Sequence, residues 1–475
     1  MTVYHFPKPI APAYKKPTSA EDCLLRARQM VKKEHGRGAM GPVRKGDRLL
    51  IVTLPDQDEY VKEAITQALK EAGAEKVDFI YEEKLTGKTL AKLSVEDGWK
   101  EAENMAKAPP GTDVLPHIEA TAKPLREYLD KHPEYTGVFV GLGGRLLLQF
   151  VLREHGRKFR NNWLFNNAEE FMAKTWIYPD ELWREIERPA IEAIGQAAKV
   201  RITDPEGTYI EYSLSEEEAL RWQMCAWLSG HLYLDPLQAT SQEASVVPVS
   251  SKIPPVFHNL TGVLAGTANH MGFYPRIRLH FEEARLVEVS GGGRYGDIIR
   301  EMMDRYKEIR WPGYPGKGFF WFCDSALCTG VKSFRRSSDM FGTYWRSPNL
   351  PERNRAGVFH HGFGSRRHGE EFTKFSVAHE LPRSHIHVHN YFTTYEVQTR
   401  GSGHWVKITD KGHLTSLDDP KIRTLAVRFG DPDELLSVEW VPPLPGINCE
   451  GDYLKDYAPD PIAYLKKRLK ENRSV

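Results

Sequence analysis

Three regularly spaced histidines are the residues of this chain that most directly suggest chemistry. His385, His387 and His389 alternate with β-branched residues in the stretch 383–392, a period-two pattern that predicts a strand with all three imidazoles on one face. Neighbouring positions on that face lie about 6.5–7 Å apart, close enough for two imidazoles to reach one metal ion, whereas the outer two are about twice as far apart. The pattern therefore predicts a metal site on one His-x-His pair, either His385 with His387 or His387 with His389.

The third histidine of this strand is expected to lie behind the ligands or to contact the substrate. A different interpretation is a histidine-rich strand whose imidazoles face solvent. Ile386 and Val388 argue against it, because polar side chains flanked by apolar residues on an inner strand are costly unless they are hydrogen-bonded or coordinated. Imidazole binds zinc, iron and copper alike, so the pattern does not name the metal.

Composition restricts the classes of protein to which the chain can belong. With 475 residues and a formal net charge of +1 at pH 7, the chain is expected to form two or more domains, and nothing favours nucleic acid or an anionic membrane as a partner. The N-terminus has no apolar signal-peptide core, and no apolar run reaches about 18 residues, which predicts a cytoplasmic protein. The five cysteines are scattered and odd in number, so we expect reduced thiols rather than a disulfide framework.

The elements that must position the histidines fall into two halves. In the first, the apolar runs Leu49–Leu54 and Val77–Tyr81 predict strands on either side of a helix over 59–72. Tyr135–Val140 predicts a third strand. This order of elements is typical of a parallel sheet covered by helices, so the N-terminal half is predicted to be an α/β domain built of βαβ units.

The second half is predicted to be rich in β-strands. The stretches 198–203 and 209–214 flank a turn and predict a hairpin. Further strands are expected at 262–265, 276–281, 286–289, 319–322 and 405–409. We place the boundary near residue 197, between an N-terminal α/β domain over 1–197 and a β-rich α+β domain over 198–475 that binds the metal and ends in a Pro-rich extension.

Three stretches resemble the aminopeptidase T family of metallopeptidases: Lys45–Ile51 in the first βαβ unit, Val200–Thr208 and Ala284–Gly292. The dihydroxypyridine ring-cleaving dioxygenases, which are mononuclear non-haem iron enzymes, are built on the same two-domain scaffold. The resemblance runs in order over residues 40–400, with loose spacing, and implies a metalloenzyme of this fold that forms a homodimer. It leaves the C-terminal extension unexplained.

The metal ligands of the peptidases are only partly present. Their two-metal cluster uses two glutamates, two histidines and an aspartate, yet the stretch that matches the first glutamate, 248–252, holds no carboxylate. Asp324 matches the second glutamate, and His360 matches the histidine of their His-x-x-x-Gly. Their closing His-x-Asp resembles 387–389, or 385–387 one dyad earlier. Because a two-metal site needs a bridging carboxylate to hold its ions about 3.5–4 Å apart, this loss predicts a single ion.

In the dioxygenases, iron is bound by a histidine at the position matching Asp324 and then by a His-x-Asp. Here the carboxylate and one histidine are exchanged, so the resemblance implies the same inventory of two histidines and one carboxylate. That set is the facial triad of non-haem Fe(II) oxygenases, which leaves positions for a bidentate substrate and dioxygen. His360 would be a fourth ligand or a hydrogen-bond donor to bound oxygen. The alternative for Asp324 is a loop or capping carboxylate.

Two further residues are catalytic candidates. Glu211 matches a substrate-facing histidine of the dioxygenases and could accept a phenolic proton if desolvation raises its pKa; the alternative is an exposed strand glutamate. Arg366 follows the His360 segment and could receive a carboxylate or hydroxyl of the substrate; the alternative is a solvated surface arginine. Histidines without a spacing partner are assigned structural roles, namely His258, His270, His280, His404 and His413.

These observations predict a mononuclear non-haem Fe(II) oxygenase that opens or oxidises a hydroxylated aromatic or heteroaromatic ring. Its partners would be a small-molecule substrate and dioxygen. The alternative is a metal-dependent hydrolase, an aminopeptidase or amidase, in which zinc or another divalent metal polarises a carbonyl and activates water. A third interpretation is a scaffold protein with a vestigial site, since the bridging carboxylate is missing.

Overall fold

We describe the fold from a computed structural model of the chain. It describes all residues except 1–4, 14, 35–37, 56, 90–91, 111–115, 141–157, 161–167, 226–229, 235–256, 258, 336–339, 343–348, 365–369, 383–384, 472 and 474. Within this part of the chain, no helix combines the length and apolar character that a membrane span requires.

The described residues form sixteen strands. In chain order they are β1 Arg48–Thr53, β2 Lys76–Tyr81, β3 Gly137–Val140, β4 Lys158–Arg160, β5 Ala197–Asp204, β6 Thr208–Ser213, β7 His231–Tyr233, β8 Thr261–Ala268, β9 Phe273–Glu282, β10 Arg285–Gly291, β11 Trp321–Cys328, β12 Phe359–Gly364, β13 His385–Asn390, β14 Thr394–Thr399, β15 Trp405–Asp410 and β16 His413–Leu414. The α-helices are Ala20–Lys32, Glu59–Glu71, Glu82–Thr86, Lys100–Ala106, Pro116–Lys131, Ala168–Phe171, Asp180–Gly195, Glu216–Cys225, Gly293–Arg305, Leu350–Arg353, Glu370–Ala378, Pro420–Ala426, Pro432–Leu436 and Pro461–Lys470.

The N-terminal sheet is parallel, as predicted. Its four strands have the order β2-β1-β3-β4, and the helix Glu59–Glu71 connects β1 to β2. The Asp58 side chain begins that helix by accepting hydrogen bonds from the backbone N–H groups of Tyr60 and Val61. Residues 49–53 are all buried, which is expected of a strand covered on both faces.

The second sheet is large and antiparallel. Its twelve strands have the order β13-β12-β11-β10-β9-β8-β6-β5-β14-β15-β16, with β7 paired to β11. The predicted hairpin is present as β5 and β6, in register from Lys199–Ser213 to Asp204–Thr208. The sheet also curls, so that its edge strand β13 approaches β8. The side chain of Asn390 at the end of β13 donates to the carbonyl of Ala265 in β8 at 2.8 Å. The predicted combination of an α/β half and a β-rich half is therefore confirmed.

The core of the large sheet also draws on residues that precede position 197. Trp183 and Ile186 of the helix Asp180–Gly195, and Ala102 and Met105 of the helix Lys100–Ala106, belong to the same buried cluster as the strands of the large sheet. The N-terminal half of the sequence thus supplies two helices to the packing of the C-terminal half. The helix Lys100–Ala106 also contacts the histidine strand β13.

The C-terminal extension is an integral part of the fold. Val441 and Tyr457 of the extension share a buried cluster with Phe273 and Tyr391, and Tyr453 donates to the carboxyl of Glu206 at 2.7 Å. These contacts place the extension against the turn of the β5–β6 hairpin and against β9. The extension therefore packs against the large sheet and contributes to its buried core.

Glu206 should make the stability of this protein fall as the pH rises. Burial, reinforced by the charge of Asp204, raises the pKa of Glu206 above its ordinary value. A carboxyl whose pKa is higher in the folded state contributes full stability below its unfolded pKa of about 4.3 and loses it as the pH rises through the folded pKa. Glu206→Gln should therefore raise the free energy of unfolding at about pH 8 by about 1–3 kcal/mol and by less at about pH 5.

Thermal unfolding measured from about pH 5 to about pH 9 checks this expectation. Glu211→Gln is the matched control in the same hairpin, because the hydrogen bond from Arg201 lowers the pKa of Glu211. A Glu206→Gln protein with the same pH dependence as the wild type would show that this carboxyl is ionised at no cost in the folded state.

Candidate metal centre

Three neighbouring strands bring four polar side chains onto one face of the large sheet. In the β11–β12–β13 register, Asp324 pairs with Gly362 and Gly362 with His387, while Ala326 pairs with His360 and His360 with His389. Side chains at paired positions lie on the same face. Gly362 has no side chain, so the space between Asp324 and His387 stays open. All four polar side chains are buried, with at most 7 % exposed.

A fourth histidine enters from the turn between β8 and β9. His270 follows Asn269, whose side-chain oxygen accepts from the backbone N–H groups of Met271 at 2.9 Å and Gly272 at 3.1 Å. This local bonding shapes the turn. In this turn the ring of His270 stacks on the ring of His387, with the two ring centroids 3.8 Å apart.

His270, His360 and His387 form a group that fits a metal ion. Each can offer one nitrogen, and the three nitrogens lie within 4.8 Å of one another. Nitrogens bound tetrahedrally at about 2.0–2.1 Å to one ion lie about 3.3–3.4 Å apart, so the three side chains would move inward on binding it. Burial, together with the charge of Arg353, holds the pKa of His360 well below its ordinary value, which keeps this imidazole in the neutral form that binds metals.

Glu101 orients His387 toward this group. Its carboxylate lies 2.8 Å from His387 Nδ1 and also accepts from the backbone N–H of His387 at 3.2 Å. A carboxylate can only accept, so Nδ1 carries the proton and Nε2 is left to face the centre. Carboxylates of this kind commonly fix the tautomer and direction of a ligating histidine.

Asp324 lies beside the three histidines, on the side of His387. Its Oδ2 is 3.8 Å from His387 Nε2, and its side chain is 1 % exposed. The structure therefore places Asp324 next to the histidine strand. The carboxylate is adjacent to the nitrogens that converge, and from there it can accept a proton from a group bound at the centre.

A second histidine group shares His360 but suits a metal less well. His231, Cys328 and His360 also converge within 4.8 Å. Arg353 donates to His231 Nε2 at 3.1 Å, and a guanidinium can only donate, so the proton of a neutral His231 lies on Nδ1. That nitrogen faces Cys328 Sγ at 3.5 Å. A protonated nitrogen and an adjacent cation both disfavour an ion here, so the group with His270 and His387 is the candidate centre.

The remaining histidines of this region have other contacts. His389 lies 2.7 Å from His270 Nδ1 through its Nε2 and 3.1 Å from Glu352 through its Nδ1, so both of its nitrogens are engaged. His361 faces the opposite side of β12, where it contacts Ser325 at 3.1 Å, and burial lowers its pKa to about 3. His385 pairs with Gly364 at the start of β13; its side chain lies outside the described residues.

The structure does not support Glu211 as a base. Arg201 donates to its carboxylate at 2.7 Å, and the Glu211 side chain is 41 % exposed. This hydrogen bond lowers the pKa of Glu211, whereas the predicted role required burial to raise it. Glu211 also points away from the buried Ile210 and Tyr212 that flank it on β6. The other catalytic candidate, Arg366, lies outside the described residues.

His270 was assigned a structural role from the sequence, and Glu101 was not singled out; the structure places His270 in a group that could hold a metal ion and Glu101 beside His387. His270 has no partner at strand or helix spacing in the sequence, and it reaches the centre only because a hairpin turn faces β13. Glu101 is 286 positions from His387. The available signal was weak: His270 follows Asn269 in a turn, and Glu101 lies in the short, largely polar helix Lys100–Ala106.

No protein family and no curated protein matches this sequence. Solved structures similar to this chain include two enzymes. One is the 2,5-dihydroxypyridine dioxygenase of Pseudomonas putida KT2440, with 11% identity, a TM-score of 0.44, and coverage of 84% of this chain and 98% of that one. The other is wild-type AmpT of Thermus thermophilus, with 14% identity, a TM-score of 0.39, and coverage of 83% and 100%. Identities and TM-scores this low assign the chain to neither group of enzymes.

Proposed function

We propose that this chain is a mononuclear metalloenzyme whose ion is bound by His270, His360 and His387. The observation that carries the proposal is the convergence of one nitrogen from each within 4.8 Å. Three imidazoles, two of them buried and that of His270 partly exposed, suit iron, zinc or copper. The carboxylate of Glu101 supports the fit, because it fixes the direction of one ligand as such partners do in metal sites.

The reaction that we favour is the oxidation or opening of a hydroxylated aromatic or heteroaromatic ring. When bound, Fe(II) would mediate the transfer of electrons from such a ring, which is the reductant, to dioxygen, and would not itself be consumed. Asp324 would take the role that Glu211 does not fill, as acceptor of the hydroxyl proton of the substrate. Its buried position 3.8 Å from His387 Nε2 supports this role, since a base must lie within reach of the group it deprotonates.

Hydrolysis by a single zinc ion is the second candidate. Three histidines also form catalytic zinc sites, in which the ion polarises a carbonyl and activates water, and Asp324 is placed to accept a proton from that water. A two-metal peptidase has less support. The second group, His231, Cys328 and His360, shares a ligand with the first and contains no carboxylate to bridge two ions.

Metal analysis of the protein purified without oxygen tests the proposal. We expect about one metal ion per chain, since only one of the two groups suits an ion. Iron, with oxygen uptake and loss of ring absorbance on adding dihydroxylated pyridines or benzenes, would support the oxygenase. Zinc with hydrolysis of amino-acid anilides would support the second candidate, and a protein that binds neither metal would contradict both. The homodimer and the cytoplasmic location stay predictions.

A further inference from the structure

We infer that Glu352 and His389 form, with His270, a buried relay that determines which nitrogen His270 presents to the metal. This inference rests on the proposed metal centre and assigns His389 a positioning role behind the ligands. Glu352 Oε1 lies 3.1 Å from His389 Nδ1, and His389 Nε2 lies 2.7 Å from His270 Nδ1. Glu352 and His389 are both 0 % exposed.

The direction of each hydrogen bond follows from the carboxylate at the end of the relay. Burial tends to raise the pKa of Glu352, but the charge of Arg335 and the bond from His389 outweigh it, so the pKa lies below its ordinary value. An ionised carboxylate only accepts, so His389 donates from Nδ1. With the proton of His389 on Nδ1, its Nε2 is the acceptor, and His270 donates from Nδ1.

The consequence for His270 is a lone pair on Nε2, the nitrogen that remains for the metal. In the reverse assignment, His389 would donate from Nε2 and His270 would carry its proton on Nε2, where it would block coordination. The relay therefore selects the tautomer of His270 that can bind an ion. Glu101 does the same for His387, so carboxylates set the tautomers of two of the three ligands.

Glu352 is itself held firmly. Asn349 donates to it at 2.9 Å and Tyr391 at 2.8 Å, and Arg335 pairs with its other oxygen at 3.1 Å. The Arg335 guanidinium lies 5.1 Å from the centre of the Trp440 ring, a distance at which a cation and an aromatic face attract each other. Trp440 belongs to the buried C-terminal region, so that region supports the relay from behind.

Two substitutions at His389 test the relay, with Co(II) as the probe. His389→Leu removes the acceptor for His270, and we expect Co(II) affinity to fall about 10–100-fold, as for other residues behind a metal ligand. His389→Gln places a side-chain oxygen where Nε2 stood, so its affinity should stay within about 10-fold of the wild type. The visible absorption of bound Co(II) should shift in the Leu variant, a change that a purely structural defect would not produce.

His361→Leu is the matched control, because His361 is equally buried but faces the other side of the sheet. The His361→Leu protein should bind Co(II) like the wild type. Unchanged affinity and spectrum in His389→Leu would overturn the relay, as would complete loss of Co(II) from both His389 variants, which would make His389 a ligand. If His389→Leu fails to fold, Glu352→Asp withdraws the carboxylate from His389 and should give the same weakening. A wild-type protein without Co(II) affinity would instead contradict the metal centre itself.

Discussion

His270→Ala is expected to abolish metal binding, with an affinity loss of more than about 100-fold, beyond the usual cost of losing a residue behind a ligand. The reason is that His270 offers one of the three nitrogens that converge on the centre. The turn that carries it is held by Asn269, so the fold should survive. Metal content after purification and Co(II) titration of the metal-free protein measure the effect.

His280→Ala is the control for this variant, since His280 lies on the neighbouring strand β9, paired with Val263 and Glu288, and was assigned the same structural role from the sequence. It should retain the metal in full. Full metal content in His270→Ala would show that His270 is not a ligand. The ligands would then be those of the histidine strand and Asp324.

Asp324→Asn should separate turnover from metal binding. Three imidazoles hold the ion, so metal content should stay within about 10-fold of the wild type in affinity. Turnover should fall about 10²–10⁴-fold, the usual contribution of a positioned general base. The amide keeps the shape of the buried side chain and loses only its ability to accept a proton as a carboxylate.

The comparison for Asp324→Asn is Asp410→Asn, because Asp410 is a carboxylate of the same sheet that pairs with Lys407. It should change neither turnover nor metal content. If Asp324→Asn loses its metal while His270→Ala keeps it, the ligands are two histidines and one carboxylate, as the sequence resemblance implies, and the three-histidine centre is wrong.

The sequence was most informative where a strand pattern is local. Alternation over 385–389 predicted the strand β13, whereas Asp324 and His360 were associated with it only through the family resemblance; the structure places them on the adjoining strands β11 and β12. Periodicity of two fixes the face of each residue on a strand, and hydrophobic runs mark the strand itself. These signals need no knowledge of distant parts of the chain.

The remaining parts of the centre depend on the register between distant segments. His270 is at a turn, where no periodicity applies, and Glu101 comes from a helix of the N-terminal half. Glu211 is a different case. The hairpin register that pairs Arg201 with Glu211 follows from the turn between them, so the ion pair was within reach of the sequence, and cross-strand pairs of opposite charge are common on exposed faces.

The position of the bound ion tests the central claim most directly. Crystals of the protein loaded with Co(II), measured at the cobalt absorption edge, would place the ion by its anomalous scattering. The three-histidine centre predicts one peak per chain, within about 2.0–2.2 Å of a nitrogen of each of His270, His360 and His387. A peak between His231 and Cys328, or one bound by His389 and Asp324 without His270, would contradict it.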